Sequence, residues 1–254
     1  MSSESTGARG LRPLASPSFL PHRFRVHLDI AVVVAVLVLT NLIAHFTTAW
    51  AGIVAVPVAA TGLVILLRRT GLEWAELGLG REHWKSGVAY ALAAVGIVAS
   101  AVAVGALLPL TRPLFMNLRY ATTSGALIAS TLIIPLQTVI PEELVFRGAL
   151  QGVLQRAWGF RGVALGGSLL FGLWHIATSL GLTSSNVGLT RLFGGGVVGM
   201  LAGVLLAVVV TGAAGLVFSW LRRRSGSLIA PIALHWSCNG LGALAAAVVW
   251  QVTT

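Results

Sequence analysis

Cysteine is nearly absent. Cys238 stands alone, which excludes an intrachain disulfide and any multi-cysteine metal site. Acidic residues are almost as scarce: the chain has seven Asp and Glu against 17 Lys and Arg, and after Glu82 only Glu142 and Glu143 remain. Charged residues make up 9% of the 254 positions, where a soluble domain carries about a quarter. With 56% hydrophobic residues and a mean hydropathy of +0.90, an ordinary soluble globular fold is excluded. The formal charge of +10 does not point to nucleic acid, because the basic residues sit in short clusters between long apolar runs, where membrane topology explains them. The chain also lacks an HExxH zinc motif, an aspartate in its central apolar segments and any internal repeat.

What is present is a series of apolar runs, each long enough to cross a hydrocarbon core of about 30 Å. They fall at 28–49, 51–67, 87–110, 125–155, 162–181, 192–221 and 227–251, which predicts an all-α, polytopic bundle of about seven transmembrane helices in the lipid bilayer. Residues 1–24, rich in Ser, Pro, Gly and Arg, are expected to be a disordered cytoplasmic tail, and 25–254 a single transmembrane domain. The first run is too long for a cleaved signal and reads as a retained anchor. With the N-terminus cytoplasmic, thirteen basic residues fall inside: Arg9, Arg12, Arg23, Arg25, Arg68, Arg69, Arg81, Lys85, Arg156, Arg161 and Arg222 to Arg224. Three, Arg112, Arg119 and Arg191, fall outside. That asymmetry predicts N-in, C-out. The stretch "TGLEWAELGLGREHWKSG" reads as an amphipathic interfacial helix or, equally, as a solvated connector. Gly195, Gly199 and Gly203, four apart, predict a close-packing face.

The remaining polar residues are few and deep. Beyond His83 the only histidines are His175 and His235, and they share the predicted membrane helices with Glu142 and Glu143. An ionisable group there costs a few kcal/mol and marks either function or a paired contact. Glu143 and Arg147 are i and i+4 on one helix face, whereas Glu142 points about 100° away. One carboxylate is thus expected to be neutralised and the other left available. Pro141, beside them, predicts a kink, and Pro135 a second bend. Counted along the helices, Glu142, His175 and His235 can converge in the cytoplasmic half, and His235 and Asn239 again share a face.

In order along the chain, "EELVFR" (Glu142, Glu143, Arg147), "FGLWH" (Phe171, His175) and "HWSCN" (His235, Asn239) match EExxxR, FxxxH and HxxxN signatures. The sequence resembles the CPBP, or ABI, family of intramembrane glutamic endopeptidases, whose relatives include the type II CAAX prenyl endopeptidases. The resemblance spans roughly 125–251, the last four predicted helices, and implies that these form a catalytic core. It implies that Glu142 activates a water, His175 holds and polarises it, and His235 and Asn239 stabilise the oxyanion. Arg147 would lock Glu143, and Phe171 would shape the cavity. The expected enzyme hydrolyses a peptide bond near the cytoplasmic face without a cofactor or metal, with water arriving from the cytoplasm. Its substrate would be a membrane protein or peptide, with or without a lipid. The competing readings are a non-catalytic interaction or immunity protein of the same family, and a metal-dependent membrane protease that uses the same Glu and His side chains.

Overall fold

The computed structural model describes residues 22–253, all of whose regular elements are helical. Up to residue 21 the expected disordered tail lies outside the described residues, and residues 22–24 already belong to the first helix. Among the described residues, six continuous helices are long and apolar enough to cross a membrane. One of them, Thr123–Trp174, is 52 residues long, about twice what a bilayer needs. Within it Gly159 sits at φ 64 and ψ −163, a backbone state in the left-handed half of the map that glycine alone adopts cheaply. The segments on either side run in opposite directions. Arg147 and Gln151 bond the Gly215 and Ser219 carbonyls in ascending order. Beyond the break the order inverts: a Cβ at Gly215 would touch Phe171 and Ser168, while one at Gly172 would touch Val208.

Seven spans result, in agreement with the hydropathy. In chain order they are α1 (His22–Phe46), α2 (Ala49–Arg69), α3 (Trp84–Leu107), α4 (123–158), α5 (160–174), α6 (Gly196–Ser225) and α7 (Ile229–Thr253). The short helix Ile176–Ser179 continues α5 beyond His175. Neither proline in α4 breaks it. The backbone bonding instead widens to an i→i+5 pattern over Ala129–Val139 and again over Leu144–Leu150. Ile140, for example, donates to the Pro135 carbonyl. At the expected bends the structure shows a local change of winding, which shifts the hydrogen-bond ladder around the donors that proline lacks.

The two ends of the bundle are built differently. At the end carrying Arg156 and Arg222, residues 70–80 form neither an interfacial helix nor a solvated loop. They fold into turns that bury Leu72 and Leu77 completely, tucked against Gly148 and Gly152 of α4. Arg156 grips Glu76 with two bonds of 2.6 and 2.5 Å, Arg222 donates to the Ala75 and Glu76 carbonyls, and the Leu228 amide bonds Gly78. The Arg156 hydrogen bond holds the Glu76 carboxyl below the usual carboxylate range. This tie is at full strength above the ordinary carboxylate pKa and fades as pH falls through the lowered one. At the opposite end the α3–α4 and α5–α6 connections are joined through an antiparallel bridge between Asn117 and Asn186, and Trp250 near the end of α7 donates to the Asn117 carbonyl.

The expected glycine seam moves along the chain. Gly195 has open space around it, and Gly199 and Gly203 receive the Gly194 carbonyl and the Thr183 hydroxyl rather than another spanning helix. The close helix crossing is α5 on α6, where a Cβ on Gly172 would come within 2.7 Å of the Val208 carbonyl oxygen and 3.4 Å of Gly212 Cα. Both neighbours are backbone and cannot swing aside. Gly172→Ala is expected to lower stability by roughly 1–3 kcal/mol, read as a fall in the thermal unfolding midpoint in detergent. Gly96→Ala on α3, with nothing within 4 Å, is expected to be neutral or to raise the midpoint slightly.

Candidate active site

The unbroken passage of α4 through its two prolines delivers Glu142, Glu143 and Arg147 to the centre of the bundle. Exposure is 6%, 0% and 1% respectively, and 4% for His235. Buried charges at this depth persist only when paired. Glu143 Oε1 accepts from Arg147 Nη1 at 3.1 Å and from His235 Nδ1 at 2.8 Å. The i, i+4 pair read from the sequence is present, and a histidine from α7 joins it. The Arg147 guanidinium lies 3.9 Å over the Phe171 ring and 4.8 Å from the Phe218 ring, while Nη2 donates to the Gly215 carbonyl at 3.4 Å. Aromatic faces of this kind attract a cation most strongly where water is excluded. The Glu143–Arg147 pair thus ties α4, α5, α6 and α7 at one point, with α7 joined through His235 on Glu143.

Glu142 has a different environment. Its Oε1 accepts from Trp174 Nε1 of α5 at 3.0 Å, and its Oε2 has no hydrogen-bond partner. Sequence spacing showed that Glu142 lacked a mate on its own helix, but it did not reveal Trp174, 32 residues away. The only local sign was a tryptophan next to His175, an indole donor that needs an acceptor when buried.

His175 stands where α5 ends, at φ −85 and ψ 0. Its Nδ1 donates to the Phe171 carbonyl at 2.8 Å, which makes Nε2 the acceptor in the neutral ring. His235 stacks on Phe218 with ring centroids 5.1 Å apart and planes 29° apart. Sequence reasoning put His235 beside Asn239 as an oxyanion donor. In the structure its Nδ1 is committed to Glu143, so only Nε2 is left for that role. The side chain of Asn239, exposed on α7, makes no hydrogen bond among the described residues.

Glu142, Phe171, His175, His235 and Asn239 all line one cavity of about 630 Å³. Its other walls come from α4, α6, α7 and the two bridged connections, including Asn117, Arg119 and Asn186. The sequence reading brought water to this site from the arginine-rich end. The cavity lining does not fit that expectation, since among the described residues it includes none from 70–80 or from the α4–α5 turn. No group of three or more His, Cys, Asp or Glu side chains among the described residues is arranged to hold a metal.

The architecture defines a class: a multi-pass helical membrane protein with an ionisable cluster on the wall of an intramembrane cavity. Residues 123–241 match the family model described as type II CAAX prenyl endopeptidase Rce1-like. The matched segment runs from the start of α4 into α7 and contains all three motifs, so the relationship suggested by EExxxR, FxxxH and HxxxN is shown. It supports a membrane CAAX protease in general terms. No curated protein and no solved structure matched the chain.

The cluster around Glu143 makes a direct prediction. Arg147→Met leaves a buried carboxylate short of a partner and is expected to cost about 3–5 kcal/mol, measured as a fall in the unfolding midpoint in detergent. Arg147→Lys keeps the charge but loses the flat face against Phe171, and its midpoint should lie between the two.

Proposed function

We propose that this protein is an intramembrane glutamic peptidase in which Glu142 is the general base. The observation that carries the reading is the contrast between adjacent carboxylates. Each leaves one oxygen without a partner, but Glu143 Oε1 is held by both Arg147 and His235, whereas Glu142 Oε1 accepts from the neutral Trp174 indole and Glu142 shares a cavity with His175 and Asn239.

In this mechanism a water held between Glu142 and His175 Nε2 gives a proton to the Glu142 carboxylate as its oxygen attacks the scissile carbonyl carbon. The oxyanion accepts a hydrogen bond from the Asn239 amide, a donor that requires no change of protonation. His235 adds a second bond when Nε2 also carries a proton. The carbon–nitrogen bond then breaks, and the leaving amine takes the proton from Glu142. Phe171 keeps the His175 and His235 rings apart, with centroids 4.7 and 6.0 Å from its own. Glu143 and Arg147 hold position and do not touch the reacting atoms.

The basic residues favour a membrane orientation with the arginine-rich end in the cytoplasm. The substrate is a peptide or membrane protein segment, and the cavity dimensions do not select for or against an attached lipid.

Glu142→Gln is expected to reduce cleavage by roughly 10²–10⁴-fold, and His175→Ala to reduce it severely, while both proteins still accumulate in membranes. The assay compares new protein termini in cells carrying wild type or each variant. Cleavage at the wild-type level in both would overturn the peptidase reading.

A further inference from the structure

Cleavage chemistry does not fix the side from which a peptide arrives, and here the two ends of the bundle are unlike. The arginine-rich end is closed beneath the site. Leu72 and Leu77 are fully buried there, a Cβ on Gly152 would strike Leu72 at 2.7 Å, and the segment is fastened by Arg156, Arg222 and the Leu228 amide. Just inside lies a second layer, with Arg147 under the Phe171 and Phe218 rings and Gln151 donating to the Ser219 carbonyl. His235 sits about 9 Å into α7 from this end, at 1.5 Å per residue, yet its cavity does not continue toward it.

Lining residues lead the other way. From His175, Phe218 and His235 they climb through Thr178, Thr211 and Gly242 to Leu182, Asn117 and Asn186. The last three belong to the connections joined by the Asn117–Asn186 bridge, where the Leu118 amide bonds Ser185 and the Val187 amide bonds Met116. The reacting groups therefore occupy the blind end of a cavity whose mouth is at the arginine-poor face.

We infer that the peptide reaches Glu142 from the face formed by the α3–α4 and α5–α6 connections, so that the substrate is an extracytoplasmic segment of a secreted or membrane-attached polypeptide. Charge supplies the second half of this statement. Arg68, Arg69, Arg81, Lys85, Arg156, Arg161 and Arg222 to Arg224 mark the closed end, against Arg112, Arg119 and Arg191 at the open one. Nine against three assigns the closed end to the cytoplasm. The identity of the visitor as a substrate rests on the peptidase reading; the direction of access does not, and can be measured without any cleavage.

Cys238 provides the probe. It is the chain's single cysteine, is exposed and lies on the cavity wall beside Asn239. The full chain in right-side-out and inside-out membrane vesicles is treated with a charged, membrane-impermeant thiol reagent. Reference positions are Lys85→Cys and Arg191→Cys, each in a Cys238→Ser background, both replacing exposed residues at opposite ends. Cys238 is expected to react from the same side as Arg191→Cys, in right-side-out vesicles, and to be protected from the side on which Lys85→Cys reacts. Reaction from the Lys85 side would overturn the inference, as would protection from both sides when the same reagent modifies Cys238 in denaturing detergent. Reaction of both Cys238 and Arg191→Cys only in inside-out vesicles would keep the mouth and overturn the extracytoplasmic substrate. A failed peptidase reading would leave all of these labelling patterns unchanged.

Discussion

A carboxylate buried without any exposure organises this molecule. Glu143 cannot remain charged among apolar helices unless donors meet it, and the Arg147 guanidinium and the His235 Nδ1–H do so from α4 and α7. Arg147 in turn needs acceptors and π faces, which are supplied by the Gly215 carbonyl of α6, Phe171 of α5 and Phe218 of α6. Lipid-facing surfaces of a membrane bundle attract one another only weakly, because hydrocarbon tails are as apolar as leucine. A polar centre that is costly to leave unsatisfied therefore gives the four helices α4 to α7 a single register. That register also brings Glu142, the neighbouring residue, to the cavity wall.

The division of labour between the two glutamates explains why one motif holds both. Glu143 is held by Arg147 and His235 and, in the proposed mechanism, does not touch the reacting atoms. Both carboxylates keep one oxygen without a partner; in the proposed mechanism Glu142 is the base because it is bonded by the neutral Trp174 indole and lines the cavity. Trp174 fixes one of the Glu142 oxygens. In the proposed reading, a cavity closed at its arginine-rich end and open at the other would limit the water and peptide that reach this group.

Some of this was legible in the sequence, and for identifiable reasons. Hydrocarbon thickness sets helix length, so seven spans followed from hydropathy even though Gly159 is the only break between α4 and α5. The Glu143–Arg147 pair followed from helical spacing. What spacing does not convey is rotation: helices with apolar residues on every side give no sign of which face turns inward. For that reason the approach of Trp174 to Glu142 and of His235 to Glu143 could not be read, and His235 was assigned to the oxyanion alone. The glycine seam was misplaced for the same reason, since Gly172, Gly212 and Gly215 form the close crossing and Gly195 does not. The burial of Leu72 and Leu77 in a connector had a faint sign, two leucines amid charges. Counting depth from helix ends could not tell that this connector closes one end of the cavity.

The central claim is that adjacent carboxylates were assigned opposite tasks, one to hold the bundle and one to do chemistry. Thermal unfolding of Glu143→Gln and Glu142→Gln, purified in the same detergent, tests it most directly. Glutamine at 143 weakens the bonds from Arg147 and His235, and its midpoint should fall well below that of the wild type. At 142 the glutamine oxygen still accepts from Trp174 and a strained buried charge disappears, so the midpoint should equal or exceed the wild-type value. A marked loss of stability at 142 with none at 143 would contradict the account.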